Sequence, residues 1–167
     1  MMQTLDVNQF LLSLCCEMSR LSGLVFATTN PSIRRQLWMH ELIEDQAAQP
    51  ATSLRPYGGT FPAGMICRPS VSIQGLTLGK DAGLVWDQAM KVHQAWLDDA
   101  GRPRSHWTIA GQRLNADRTT IEADPERDWE IVLAMPLGRP GMLGRDEAGR
   151  WMCSGNVDVE FVERVKV

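Results

Sequence analysis

Residues 135–161 read MPLGRPGMLGRDEAGRWMCSGNVDVEF, two apolar runs separated by thirteen residues dense in glycine, proline and paired charge. At the C-terminal end Val157, Val159 and Phe161 alternate with Asp158 and Glu160. A period of two is that of a strand with one face buried and one wet. Such a strand needs partners, and the natural one lies just upstream in DWEIVLAMPL, where Trp129, Ile131, Leu133 and Met135 share a face by the same alternation. Between the strand ending near Leu137 and the one starting near Trp151, Gly138, Gly141, Gly144, Gly149 and Pro140 predict a long, shaped hairpin loop. Within it Asp146 can accept backbone hydrogen bonds from residues just ahead, and Gly149 can turn left-handed before the strand restarts. Arg145 and Arg150 flank that turn with guanidinium groups suited to carboxylates, either that of Asp146 or one on a neighbouring subunit.

Working outward, HWTIAGQRLN (residues 106–115) predicts a further strand, and the acidic, proline-bearing EADPERDWE predicts the turn that follows it. Upstream, Asp81 opens a helix whose stripe is Val85, Ala89, Val92 and Trp96, widened by Trp86, Met90 and Leu97 and stopped by Gly101 and Pro103. MICRPSVSIQGLTLG predicts a half-buried strand around Val71 and Ile73, with Pro69 marking a bulge or an edge. In AAQPATSLRPYGGTFPAG only TSLR reads as able to pair in a sheet. A strand, with helix as the alternative, is expected near residues 35–43, and an N-terminal helix is expected over residues 5–21. That helix carries Val7, Phe10, Leu11, Leu14, Met18 and Leu21 on one stripe, Asp6 or Asn8 as cap and Gly23 as stop. The order predicts an α+β domain spanning residues 1–167, a mostly antiparallel sheet with two amphipathic helices on one face and long hairpin loops.

Composition sets the outer limits. A chain of 167 residues that is 44% apolar and 22% charged is long enough for one core and too apolar to remain disordered. A net charge of -3 argues against a surface built on many phosphate contacts. No apolar run approaches the roughly 20 residues of a membrane span, and the N-terminus lacks a secretory pattern, so a cytosolic setting is expected. Cys15, Cys16, Cys67 and Cys153 form no C-x-x-C pair and are expected as reduced thiols.

Catalytic patterns are sparse. HELIE (residues 40–44) has the opening of a zinc-protease helix, but Glu44 stands where the second histidine belongs; a metal-dependent hydrolase would have to use His40, Glu41 and Glu44. Asp124, Glu126 and Asp128 offer carboxylates without a companion base, and His93 reads as a histidine at the core edge. GGTFPAG lacks the lysine and helix start of a phosphate loop, and no G-x-S-x-G occurs. No cofactor or metal is expected, and the chain reads as a non-enzyme.

Three segments in order carry a resemblance: SLRPYGGTFPAG running into RPSVSIQG, the helix AGLVWDQAMKVHQAWL, and PLGRPGMLGRDEAGRWMCSGNVDVEF with Asn156 in its last strand. Together they resemble the tail terminator, or minor tail-completion, proteins of long-tailed bacteriophages and related prophages, over most of the chain from about Leu37. The resemblance implies a ring-forming structural subunit, commonly a homohexamer, on the last ring of the tail tube. There it would stop tube polymerisation and offer a surface for head-tail joining. Its implied partners are further copies of itself, the tail tube protein and a head-side connector protein, with no membrane and with DNA at most passing through the lumen. The implied place is the head-proximal end of the virion tail, assembled in the bacterial cytoplasm. Another connector or stopper subunit of the neck is the neighbouring reading. The two loops then supply the interface candidates Arg55, Tyr57 and Phe61 in the first, and Arg139, Arg145, Asp146, Glu147 and Arg150 in the second.

Overall fold

The computed structural model describes residues 7–28, 30, 32–40, 49–58 and 69–167. Helix α1 spans Val7–Ser22, followed by strands β1 (Leu37–Met39), β2 (Ala51–Gly58) and β3 (Ser70–Gly79), helix α2 (Ala82–Ala95), and strands β4 (Ser105–Ile109), β5 (Gln112–Leu114), β6 (Ile121–Ala123), β7 (Arg127–Pro136), β8 (Gly141–Arg145) and β9 (Trp151–Val165). The class is α+β: among the described residues there are two helices and a sheet in which only the β1–β2 pair is parallel. Strand order is β1-β2-β3-β9-β7-β4, with β8 also on β9, and β5 and β6 form a small separate pair.

Strand β9 is the axis. Residues 151–160 pair with β3 on one side, while on the other residues 157–165 pair with β7 and residues 151–154 with β8. Its alternation buries Cys153, Val157, Val159 and Phe161 on one side and ends after Phe161. Phe10 of α1 stacks on Phe161 with ring centroids 3.8 Å apart, and Trp129 of β7 meets both rings edge-on at 5.4 and 5.8 Å. Val85 and Ala89 of α2 pack on Cys153. A buried polar chain adds direction, since Gln88 Nε2 donates to Thr52 Oγ1 at 2.9 Å and Thr52 meets the Thr77 hydroxyl at 2.8 Å. Apolar packing alone would let α2 slide along the sheet; a hydrogen-bonded group in a dry place fixes one position.

The helices end as the local chemistry dictates. Asp81 caps α2 by accepting from the Leu84 N–H at 2.9 Å, and Gly23 closes α1 at φ 73° with its N–H on the Ser19 carbonyl. Leu5 and Asp6 lie outside the described residues.

Several expectations change. Strand β2 runs beyond TSLR through Pro56, Tyr57 and Gly58, and Pro56 sits where the β2–β3 register shifts, a place that tolerates a missing N–H. Pro69 precedes β3, which is interior to the sheet and not an edge. The expected strand over residues 35–43 is three residues in β1, and residues 41–43 lie outside the described part. The run 106–115 is two strands, broken at Gly111, where any Cβ would collide with the Arg127 carbonyl and the N–H instead bonds to the Asp128 carboxylate at 2.9 Å. In β7 the register shifts between Ile131 and Leu133, so Trp129, Ile131 and Ala134 enter the core while Leu133 is left half-buried and Met135 exposed. One extra residue reverses the alternation beyond it. On α2 Trp86 is exposed and does not widen the buried stripe.

The ring trio gives a direct check. Phe10→Ala is expected to lower the unfolding free energy by about 3–5 kcal/mol, read from urea unfolding at unchanged slope. A loss below about 1 kcal/mol, typical of surface positions, would show that the trio is not the centre of the core.

Candidate protein interface

The stretch expected as one long loop contains a five-residue strand, β8. After Pro136, β7 leaves the ladder for a short crook, the Leu137 N–H donates to the Asn156 carbonyl at 2.9 Å, and the chain rejoins β9 as β8 from Gly141. The crook is held by Pro140, which is buried and lies against Gly155, where an added Cβ would come within 3.3 Å of the proline ring. Strands β7 and β8 therefore run down the same side of β9, and the true turn is residues 146–149.

That turn is tied by its own side chains. The Asp146 N–H donates to the Arg150 carbonyl at 2.8 Å and the Gly149 N–H to the Asp146 carbonyl at 2.9 Å, with Gly149 at φ 76°. Asp146 Oδ1 accepts from the Arg150 N–H at 2.8 Å, and Oδ2 accepts from its guanidinium at 2.7 Å. Arg150 thus grips the carboxylate of its own turn. Arg145 instead lies over the Trp151 ring, its guanidinium carbon 4.5 Å from the centroid, and Glu147 is exposed at the apex. Arg139 is exposed in the crook; burial first, and then the charge of Arg139, push the His93 imidazole on α2 below its ordinary range.

The first-loop candidates fall elsewhere. Arg55 is in β2, opposite Gln74 of β3, which is itself opposite Asn156 of β9, so the three form one row across the sheet. Thr52 and Leu54 turn toward the helices, which puts Arg55 on the other face by the strand pleat. Polar ties cover that face nearby, Ser72 to Asp158 at 2.6 Å and Gln74 to Ser154 at 3.1 Å. Tyr57 is 52% exposed at the register shift, and Phe61 lies outside the described residues. The fold thus brings Arg55 into one row with Asn156, next to the crook, and gathers Arg139, Arg145, Asp146, Glu147 and Arg150 along the β8–β9 arm.

What the sequence reading missed is apolar. Leu143 is 58% exposed, Leu137 55%, Met135 40% and Met142 39%, all on the arm or its root. The β8 register shifts between Met142 and Gly144, with Gly144 at φ 100°, and this bulge sets Leu143 apart from the ladder. The signal was present in PLGRPGMLGR, whose Leu and Met residues have no place in a glycine-rich loop unless they meet something.

The remaining chemical candidates are taken up locally. Asp124 is buried and accepts from Gln9 Nε2 and the Glu126 N–H while pairing with Arg127; Asp128 pairs with Lys166 at 2.9 Å. Burial pushes the Cys16 thiol up to about 11 and that of Cys15 further, so neither is a thiolate near neutrality. Among the described residues no group of three His, Cys, Asp or Glu is gathered to hold a metal ion, and no helix is long and apolar enough to cross a membrane. His40 Nε2 donates to Asn8 Oδ1 at 3.2 Å; Glu41, Glu44 and Cys67 lie outside the described residues.

No protein-family model and no curated protein matches the chain.

The turn carries its own pH dependence. Hydrogen bonds from the Arg150 backbone and side chain hold the Asp146 carboxyl below the usual 3.8. A depressed carboxyl stabilises the turn above its unfolded value and stops doing so as pH falls through the lower folded one. Protection of the amides of residues 145–151, relative to their intrinsic exchange rates, is therefore expected to be high at pH 5 and to fall below about pH 3.8, while Asp146→Asn is weakly protected at both. Equal protection in the variant at pH 5 would remove the carboxylate from the account.

Proposed function

We propose that this chain is a tail terminator of a long-tailed phage: a ring-forming structural subunit that caps the tail tube, stops its polymerisation and offers a surface for head-tail joining. It acts by assembly and not by catalysis. The observation that carries the reading is the Gly144–Arg150 motif in its setting. Its Asp, Gly and second Arg are consumed in locking a turn, which leaves Leu137, Met142 and Leu143 exposed on a stiffened arm. Exposed apolar side chains rimmed by charge are the mark of a protein contact. A terminator must meet proteins other than itself, the tube on one side and the connector on the other, and a stiff arm on a rigid sheet suits such a contact.

The partners that follow are other copies of the chain in a ring, commonly six, a tail tube protein below and a head-side connector above, with the virion tail as its place. A connector or stopper role in the same neck would use the same arm. Light scattering and negative-stain imaging of the purified protein are expected to show closed rings, and loss of the gene is expected to give overlong tubes. Tails of regulated length left unattached would favour the connector role instead. A strictly monomeric protein, together with normal tails joined to heads after gene loss, would sink both. Stoichiometric zinc or manganese in the purified protein would move the reading to the hydrolase through His40, Glu41 and Glu44.

A further inference from the structure

The inner side of β8 is paired with β9 over residues 141–145, and among the described residues nothing pairs with its outer side. Strand β4 covers β7 only as far as Leu133, apart from one hydrogen bond from the Ala134 N–H to the Arg104 carbonyl. Beyond that point the sheet presents an open edge running from Met135 to Arg145. An open edge is a template for another strand, because its backbone donors and acceptors on that side have no protein partner.

The side chains along this edge specify what fits. Leu137, Met142 and Leu143 supply apolar contact, with Arg139 in the crook just ahead of β8 and Arg145 at the end of β8. Neither arginine has an acidic partner among the described residues, although the other end of the sheet is paired throughout: Arg127 with Glu163 at 3.3 Å, Lys166 with Asp128 at 2.9 Å, and Arg164 with Glu130. Residues 137–145 carry two positive charges and no negative one in a chain whose net charge is -3. The edge is an electropositive, apolar strip on an otherwise acidic protein.

We infer that the outer edge of β8 seats an extended segment of a different protein, one with apolar residues between carboxylates that reach Arg139 and Arg145. Among the described strands the charges favour another protein over a second copy. Of the described strands of this chain, β4 offers His106 and no carboxylate, and Glu122 of β6 is already bonded to Arg113 at 2.8 Å. Strand β5 carries Arg113, and β1 is backed by the Val25 carbonyl, which accepts from the Gln36 and Leu37 N–H groups at 2.7 and 3.0 Å. None presents free carboxylates to the edge. Preorganisation favours the docking: the Pro140 crook and the Asp146–Arg150 lock hold both ends of β8 before any partner arrives. The bulge at Leu143 limits pairing to a short segment, which keeps the edge from templating indefinite aggregation. The inference rests on the edge and its charges alone and does not need the ring.

The test uses the full-length protein, isotope-labelled, with the capped peptide Glu-Val-Thr-Val-Thr-Val-Glu and its counterpart in which both Glu are Lys. The Glu peptide is expected to shift the amide resonances of residues 141–145 and slow their exchange, with the Lys peptide about tenfold or more weaker. In the Arg139→Glu/Arg145→Glu variant the preference is expected to invert, with thermal unfolding confirming that these exposed changes leave the fold intact. Three results would overturn the inference: no shift at residues 141–145 even with millimolar Glu peptide, equal response to both peptides, or amides already protected in the protein alone that lose protection on dilution. The last would assign the edge to a second copy. If rings form and the peptides fail, this inference falls and the ring reading stands; if the Glu peptide binds a monomeric protein, the reverse holds.

Discussion

A long strand whose alternation is clean from Val157 to Phe161 leaves its neighbours no choice of register. Slipping β9 by one residue would send Val157, Val159 and Phe161 to the wet face and bring Asp158 and Glu160 under the helices, at the cost of burying charge without partners. Because β3, β7 and β8 all read their register from this strand, the placement of α1 through Phe10 and of α2 through Cys153 follows from it as well. The sheet is one object organised by one strand, and its two ends differ in what else they carry.

At the Val165 end, charges meet in pairs across β7 and β9, and Asp124, Gln9 and Arg127 tie the β6–β7 connection to α1. Exposed pairs of this kind add little stability, yet they leave no strip of one sign. At the Trp151 end the arrangement is the opposite. Of the arm's two carboxylates, Asp146 is committed to Arg150 within its own turn, and Glu147 stands exposed at the apex. Arg145 rests on an indole, and Arg139 stays in solvent. The lock that stiffens the arm is thus the same contact that leaves the arm positively charged. Stiffness and unbalanced charge together suit an element whose task is to be met by something else.

Legibility followed the range of the interactions. Strand β9, the α2 stripe and its Asp81 cap, and the Gly23 stop were readable because each depends on residues within a turn or two of one another, where spacing is the physics. The turn chemistry of Asp146 and Gly149 was readable for the same reason. Strand β8 was not, since its glycines and proline spoke for a loop, and it is β9 pairing across the hairpin that overrides them. The phase of β7 failed at one residue: nothing in EIVLAM announces a bulge, and it exists because Ile131 and Leu133 must match consecutive positions of β9. The break at Gly111 likewise reflects a carbonyl sixteen positions away, that of Arg127.

The candidate interface divides along the same line. Local pattern was enough to name Arg145, Asp146 and Arg150 as one cluster, because three to five residues of a turn can be judged by their own reach. Which arginine takes the aspartate, which one is left over, and whether Leu143 is buried or bare were settled by the assembled sheet. Those outcomes depend on where β9 ends, on the bulge that sets Leu143 apart, and on β4 stopping short of β8. An edge is a property of the last strand placed, so no single segment of the chain could announce it.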